Sequence, residues 1–341
     1  MFEHWSEFRM GMIRSTDAPL VPDRASECSY DWRERIVTAH ARIEPYVRRT
    51  PTASLVPRDV NLDCSLVMKM ETFQYTGSYK PRGVFNRLLA RRIANDSRPV
   101  VAASGGNHGI AVAYAATVLG FDVQVFVPTL TPAEKIARIR QYGAQVTVVG
   151  ANYGEALAVS ERHAKTIGAL AIHAFDEPEL IEGQGTVARE LDMQVSVPDT
   201  ILVAAGGGSL LAGICAWYAG TETRVIGVEP ELARAVGSAI DAGEPVDVDV
   251  GGVAADSLGA RRAGVHTFDV IRSHVAQMLT VADHDIVAAQ RWLWRELRMV
   301  AEPGGATAIS ALLSRRYVPS PGELVAVVMC GANTNPAAVR E

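Results

Sequence analysis

The chain has few of the residues that mark a metalloprotein, a disulfide scaffold or a membrane protein. Its 341 residues include four cysteines and eight histidines, without paired or ligand-like spacing, so no zinc site or disulfide framework is expected. No apolar run reaches the roughly 18 residues of a membrane span. The first 27 residues lack the apolar core and cleavage site of a secretory signal. We therefore expect a cytoplasmic protein without a membrane partner.

The chain also lacks the basic excess of a nucleic-acid-binding protein. Its formal net charge is −5, which argues against a surface that neutralises phosphates. Hydrophobic residues make up 48% and charged residues 21%, both ordinary for a soluble globular protein. The length suggests about two domains with a substantial core.

Short apolar strands alternate with helical segments along most of the chain. Strands near residues 100–103, 123–127, 145–149 and 169–172 are separated by helices, one of them starting at Pro132 with Thr131 as its N-cap. This alternation is typical of an α/β fold with parallel sheets. We predict an N-terminal arm over 1–29, a discontinuous large domain over 30–97 and 174–341, and a small mobile domain over 98–173.

The segment Thr76–Gly83 places one lysine, Lys80, between small turn-forming residues and directly before Pro81. Proline suits the first helical position, so Lys80 is predicted at a helix N-terminus. The positive end of the helix dipole and burial both lower an amine pKa. A lysine made neutral in this way is competent for Schiff-base chemistry. The alternative is a solvent-exposed lysine on a loop.

Four further strand-to-helix or strand-end junctions carry glycine. Gly206–Ser209 follows an apolar strand and opens a helix, an arrangement whose amides can surround a phosphate. Ser104–Gly109 has the same placement, and its free amides suit a carboxylate. The other two are Glu302–Ala306 and Cys330–Asn333.

In this order the junctions resemble the fold-type II pyridoxal-phosphate enzymes, which are tryptophan synthase β-like. Within them the chain is most similar to the threonine/serine dehydratase and serine racemase branch, over about residues 30 to 336. The resemblance implies two three-layer α/β domains with a pyridoxal 5'-phosphate cleft between them, and a homodimer.

The resemblance also implies roles for individual residues. Lys80 would be catalytic and bind the cofactor covalently, and the other cofactor-binding residues would be Tyr79, Asn107, Gly206, Gly207, Gly208, Ser209, Leu210, Glu302 and Cys330. The substrate carboxylate would be held by Ser104, Gly105, Asn107 and His108. Simpler interpretations stay open: an N-cap for Asn107, a structural role for His108, a core cysteine for Cys330 and a helix cap for Glu302.

Three positions bear on the reaction type. Racemase-like relatives carry a second acid/base serine where this chain has Gly105, which leaves elimination with one base. A neutral thiol at Cys330 would keep the cofactor a weak electron sink, which favours loss of a β leaving group. Glu229 matches a cation ligand of those relatives, but Ala233 and Ala235 replace downstream acids. No metal is therefore expected, with Glu229 left open as a ligand.

These observations predict dehydration and deamination of a β-hydroxy amino acid, L-threonine or L-serine, to a 2-oxo acid and ammonia. The alternatives on the same scaffold are a serine racemase or β-replacement enzyme and a dehydratase for another 3-hydroxy amino acid. Two further alternatives are a binding or regulatory protein that retains the fold without activity, and a purely structural α/β protein. The sequence does not define the pocket for the β-substituent, to which residues 251–258 are expected to contribute.

Overall fold

Two separate β-sheets organise the chain, which a computed structural model describes over residues 31–60 and 63–339. The predicted arm, residues 1–29, lies outside the described residues. Within them the strands are β1 (Thr52–Leu55), β2 (Cys64–Lys69), β3 (Val100–Ala103), β4 (Val123–Val127), β5 (Gln145–Val148), β6 (Leu170–Ala171), β7 (Thr200–Ala204), β8 (Arg224–Pro230), β9 (Gln277–Val281) and β10 (Glu323–Val328).

The α-helices surround these strands. In chain order they are α1 (Trp32–Ile43), α2 (Pro57–Val60), α3 (Pro81–Ile93), α4 (Asn107–Val118), α5 (Ala133–Gln141), α6 (Tyr153–Ile167), α7 (Pro178–Asp192), α8 (Ser209–Tyr218), α9 (Ala235–Ala242), α10 (Ala255–Leu258), α11 (Val265–His274), α12 (Asp283–Leu297) and α13 (Pro303–Leu313). Short 3-10 turns occupy Glu44–Tyr46, Glu71–Phe73, Tyr75–Gly77 and Pro336–Val339.

Both sheets are almost entirely parallel. One has the order β1-β2-β10-β7-β8-β9 and the other β5-β4-β3-β6, and β1 is the antiparallel exception, pairing with β2. All five residues of β7 are buried, as expected for a strand covered by helices on both faces. The predicted α/β fold is confirmed.

The sheets match the sequence regions that were predicted as domains. The four-stranded sheet comes from residues 100–171, and the six-stranded sheet is built from strands on both sides of that stretch. From Trp32 onward, however, the chain forms one compact unit. The division into a large and a small mobile domain stays a prediction.

Glycines at helix crossings fix the helices that carry the candidate site. A Cβ on Gly183 of α7 would lie 2.5 Å from the Cα of Gly83 in α3. A Cβ on Gly185 of α7 would lie 2.9 Å from the carbonyl oxygen of Gly213 in α8. Both distances are too short for a side chain, so α7 holds α3 and α8 at backbone contact. The starts of α3 and α8, where Lys80 and the glycine loop lie, are thereby held relative to each other.

A group of buried charges, the buried ion cluster of Lys69, Glu71, Arg82 and Glu190, anchors the start of α3. Arg82 Nε donates to Glu71 Oε2 at 2.8 Å, and Arg82 Nη2 to Glu190 Oε1 at 3.0 Å. Lys69 Nζ donates to Glu190 Oε1 at 2.5 Å. All four residues are buried. Because each charge has an opposite partner, the cluster compensates the desolvation cost of its ions.

One predicted helix start is wrong. Thr131 was expected to cap the helix at Pro132, but Pro132 is itself the N-cap and α5 begins at Ala133. The backbone of Pro132 is extended, with ψ 139°, so it cannot be the first helical residue. Thr131 is instead free to line a cavity. Among the described helices, none is long and apolar enough to cross a membrane.

Candidate active site

The lysine segment is attached to the end of the central strand β10. Ser78 forms an antiparallel bridge with Gly331, and the Tyr79 amide donates to the Cys330 carbonyl at 3.1 Å. Lys80 then occupies the N-cap position of α3 and Pro81 its first turn, as predicted. The reactive segment is therefore held by backbone hydrogen bonds to residues far along the chain.

The Lys80 amine lies in an environment that favours its neutral form. Nζ donates to the Ala174 carbonyl at 3.0 Å. Burial lowers its pKa to about 8, against opposing effects of Cys330 and Glu302. Lys80 thus carries a far larger neutral fraction at physiological pH than an exposed lysine. The exposed-loop alternative is wrong, and the amine is suited to nucleophilic and base chemistry.

The glycine loop between β7 and α8 forms the second part of the site. Gly208 is the N-cap of α8 with φ 102°, a left-handed conformation that favours glycine. The first amides of α8, among them those of Ser209 and Leu210, have no partner within the helix. The Phe175 ring fills the space that a side chain on Gly207 would need. The loop presents free N–H groups and a positive helix end, which together suit a phosphate.

A second helix start, at α4, lies on the same cavity. The Gly106 amide donates to Ser104 Oγ at 3.2 Å, and Gly106 is the N-cap. Asn107 is the first helical residue, so the interpretation of Asn107 as the N-cap is wrong. The open amides of this turn are suited to a carboxylate.

The Asn107 side chain is held by two hydrogen bonds. Its Nδ2 donates to Glu302 Oε1 at 2.6 Å, and its Oδ1 accepts from Asn333 Nδ2 at 2.6 Å. Glu302 occupies the N-cap position of α13 without a side-chain cap hydrogen bond, so the carboxylate orients Asn107 rather than the helix. Burial raises the pKa of Glu302 to about 7. One N–H of Asn107 remains for a ligand oxygen.

Cys330 is buried just beyond β10. Its thiol donates to the Gly304 carbonyl at 3.4 Å. Burial raises the pKa of the thiol, and Glu302 adds to that effect. The group is therefore a neutral thiol at physiological pH, the state assumed when elimination was predicted. It is also a core cysteine, so the two interpretations of Cys330 are compatible.

His108 and Gly105 complete the α4 turn. Burial, followed by the positive charge of Lys80, lowers the pKa of His108 to about 3, and its Nε2 lies 3.3 Å from the Ile172 carbonyl. The ring is neutral and packs as a structural residue. A Cβ on Gly105 would lie 2.7 Å from Thr131 Oγ1. Thr131 thus occupies the space where racemase-like relatives are expected to place their second serine.

Glu229 is not one of the residues around Lys80 and the α4 and α8 helix starts, and its carboxylate caps another helix. Its two carboxylate oxygens accept from the amides of Val236 and Gly237, each at 2.8 Å, at the start of α9. Within residues 31–60 and 63–339, no group of three or more His, Cys, Asp or Glu side chains is placed to hold a metal ion. The carboxylate that was left open as a cation ligand therefore caps a helix.

A cavity of about 700 Å³ brings the predicted groups together. Its walls include the two open helix starts and the lysine, namely Tyr79, Lys80, Ser104, Gly105, Asn107, His108, Gly206, Gly207, Gly208, Ser209 and Leu210. Glu302 and Cys330 are buried behind this wall. A neutral amine together with an anion-binding loop suits a ligand that carries both an aldehyde and a phosphate. Pyridoxal phosphate fits that donor set.

The sequence did not identify several residues of the site. Asn333 orients Asn107, Phe175 packs on the glycine loop, and Thr131 fills the space beside Gly105. Asp256 lines the cavity from α10, within the segment 251–258 that was expected to contribute. Asn333 could have been predicted from the sequence, since it is the last residue of the strand-end junction Cys330–Asn333. Phe175 and Thr131 had none, because their roles depend on distant neighbours.

The chain is similar to several known proteins. The family model for pyridoxal-phosphate dependent enzymes matches residues 43–331. The L-threonine ammonia-lyase of Geobacter sulfurreducens is 34% identical over 298 residues, which are 87% of this chain and 74% of that protein. The L-threo-3-hydroxyaspartate ammonia-lyase of a Pseudomonas species is 32% identical over 304 residues, 88% of this chain and 94% of that protein.

The fold comparison gives a third relative. The solved structure of maize serine racemase superposes with a TM-score of 0.84 at 32% identity, over 90% of this chain and 95% of that one. Relatives with different named reactions thus share this scaffold. The choice between reactions must come from the residues of the cavity.

Proposed function

Since the chain belongs to the family of pyridoxal-phosphate dependent enzymes, we propose that it dehydrates and deaminates L-threonine or L-serine to a 2-oxo acid and ammonia. The observation that carries the proposal is the Lys80 amine, whose pKa is lowered to about 8, on the same cavity as the glycine loop. The relatives named ammonia-lyases support the reaction type.

The residues of the cavity divide the binding of cofactor and substrate between them. When bound, pyridoxal phosphate withdraws electrons from the substrate and so acidifies its Cα–H bond. The amides from Gly206 to Leu210 would hold the phosphate, and the remaining N–H of Asn107 would donate to the ring oxygen. Tyr79 and Cys330 would contact the ring, and Glu302 would keep Asn107 in its donor orientation.

The substrate is positioned by the α4 turn. The open amides beside Ser104 and Gly105 would bind the α-carboxylate at the positive end of the helix. His108 is neutral and buried, so it contributes shape rather than charge. Lys80 lines the same cavity, so its amine is available to the Cα–H bond of a substrate held there.

Lys80 acts as the general base. Its amine takes the Cα proton, the electrons of that bond form the Cα–Cβ double bond, and the Cβ–O bond breaks. The departing hydroxyl takes up a proton and leaves as water. The released enamine then adds water at Cα and loses its nitrogen as ammonia, which yields the 2-oxo acid. No net oxidation occurs, so no redox partner is required.

The residues at Gly105 and Thr131, where a second acid or base would be needed, favour elimination over racemisation. Racemisation needs a second proton donor, and Gly105 has no side chain to supply one. Thr131 occupies that space, but a threonine hydroxyl is a poor acid or base without an activating partner. Serine racemase activity is therefore the second candidate, carried by the Thr131 hydroxyl and by the likeness to maize serine racemase.

A product assay tests the proposal. The holoenzyme is incubated separately with L-threonine and L-serine, and the 2-oxo acid, ammonia and D-serine are measured over time. We expect equal amounts of 2-oxo acid and ammonia, well above any D-serine. Accumulation of D-serine ahead of pyruvate would overturn the proposal in favour of racemisation. A homodimer is a further proposal that rests on the family resemblance, and a cytoplasmic location is one that rests on the sequence.

A further inference from the structure

The charged side chains on the cavity wall limit which substrates fit. Among the described residues that line it, Lys80 and Asp256 carry the charges. Lys80 is assigned to the cofactor, so Asp256 is the charged lining residue that remains to act on a substrate side chain. The Asp256 carbonyl would lie 3.4 Å from a Cβ on Gly106. Asp256 is thus next to the α4 turn, where the substrate carboxylate is expected.

A lysine of α5 balances this charge. Lys135 of α5 forms an ion pair with Asp256. The Lys135 side chain is 17% exposed and that of Asp256 is 67% exposed, so the lysine is largely covered and already engaged. The pair is neutral as a unit, which lets the α-carboxylate approach. A second carboxylate on the substrate would face Asp256, with no uncommitted cation among the lining residues.

The rim of the cavity is apolar and open. Leu130 is 83% exposed and Tyr153 is 40% exposed, and both line the cavity. Phe175, Val250 and Leu258 continue the apolar surface inward. Large apolar side chains left in water at the mouth of a cavity are typical of a surface that a ligand covers. An alkyl or aryl group on the β-carbon of the substrate would cover them.

We propose that Asp256 is a specificity-determining residue and that the substrate carries an uncharged, apolar β-substituent such as methyl or phenyl. Asp256 disfavours a β-carboxylate because it keeps the Lys135 cation engaged and offers that group only a negative side chain, whereas the open amides of the α4 turn hold the α-carboxylate. This inference rests on the proposed dehydratase function and names its substrate class.

Steady-state kinetics of the holoenzyme test the inference. The value of kcat/KM is measured for L-threonine, L-threo-3-phenylserine and L-threo-3-hydroxyaspartate. We expect both apolar substrates to exceed hydroxyaspartate by about 100-fold. The variant Asp256→Asn should raise the ratio of hydroxyaspartate to threonine about tenfold. The control Asp269→Asn removes an exposed acid of α11 that pairs with Arg272, and it should leave the ratio unchanged.

Two kinetic outcomes would overturn the inference. One is a wild-type preference for hydroxyaspartate, and the other is an unchanged ratio in Asp256→Asn. Either result leaves the dehydratase function intact, because a 3-hydroxy amino acid is still converted. Failure of all three substrates and of L-serine would instead reject the proposed function.

Binding of unreactive amino acids tests the same inference without turnover. L-aspartate and L-2-aminobutyrate lack a β leaving group and are titrated against the visible absorbance of the holoenzyme. Wild type should bind L-2-aminobutyrate more tightly than L-aspartate. Asp256→Asn should reduce this difference in affinity. Lys135→Met should increase the difference in affinity, because Asp256 loses its ion-pair partner. The difference should shrink at high salt, since the pair is partly exposed. Equal affinities in wild type would contradict the proposal.

Discussion

Two lysines in neighbouring segments of the chain, Lys69 buried and Lys80 half-buried, have opposite environments. Lys69, in β2, donates to three acceptors: the Thr50 carbonyl at 2.8 Å, Glu190 Oε1 at 2.5 Å and Gln194 Oε1 at 2.8 Å. Lys80, at the start of α3, donates to the Ala174 carbonyl at 3.0 Å. Lys69 is saturated with acceptors, one of them a carboxylate, and Lys80 is not.

The comparison distinguishes two effects on the pKa of a lysine amine, that of burial and that of a neighbouring carboxylate. Burial lowers the pKa of both amines, but Glu71 and Glu190 oppose it at Lys69. Burial would raise the pKa of Glu190, yet Arg82 and then Lys69 outweigh it and lower that pKa. The buried ion cluster therefore stays charged and holds the fold. Lys80 lacks a carboxylate partner at hydrogen-bond distance among the described residues, so desolvation dominates and the amine becomes reactive.

The variant Lys80→Ala tests the reactive member of this lysine pair and has the largest expected effect. It removes the proposed base and covalent attachment point, so turnover of L-threonine should fall by at least about 1,000-fold. The visible absorbance of bound cofactor should disappear, while thermal unfolding stays close to wild type. Lys165→Ala, at an exposed position of α6, is the matched control and should retain full activity. Residual turnover in Lys80→Ala would contradict the assignment.

The variant Lys69→Met should give the reverse pattern. It leaves Glu190 and the Thr50 carbonyl without their buried cation, which costs about 3–5 kcal/mol of stability. Denaturant unfolding measures the loss, with Lys165→Met as the control. Folded Lys69→Met should still bind the cofactor, since Lys80 is untouched. Wild-type stability in this variant would show that the buried ion cluster does not anchor the fold.

The pH dependence of cofactor binding tests the lowered pKa of Lys80, and its expected effect is the smallest of the three. After the cofactor is removed, its rebinding rate depends on the neutral fraction of Lys80. A pKa near 8, below the ordinary 10.5, means that the amine is protonated and unreactive at lower pH. The rate should rise about fivefold between pH 7 and 8 and level off above pH 9. A rise that continues to pH 10 would show an unperturbed lysine. Rebinding is followed by the visible absorbance of the bound cofactor.

Local signals in the sequence were enough to predict the parts of the site that repeat a known junction. Strand, glycine turn and helix follow one another at Ser104–Gly109 and at Gly206–Ser209, and Pro81 marks a helix start after Lys80. These patterns depend on backbone preferences within a few residues. The α/β fold and the helix start at Lys80 were therefore confirmed, and the ligand roles of these residues remain predictions.

The remaining residues depend on partners that no local pattern reveals. Thr131 was assigned as a helix cap because threonine suits that position, but the extended backbone of Pro132 shifted the helix start by one residue. Asp256 and Lys135 come from α10 and α5, and their pairing arises only in three dimensions. The N-cap interpretation of Asn107 failed because Gly106 is the N-cap of α4. The Asn107 side chain instead bonds Glu302 through Nδ2 and Asn333 through Oδ1, and both partners are distant in sequence.

Strand β10 has a consequence for the order of events during protein synthesis. It is the last strand of the described chain to leave the ribosome, yet it lies between β2 and β7 in the middle of its sheet. Until it inserts, the lysine turn has neither the Gly331 bridge nor the Cys330 carbonyl to hold it. Pairing across so much sequence is slow. We therefore expect the contacts that hold the lysine turn to form only after β10 has been synthesised and has inserted between β2 and β7.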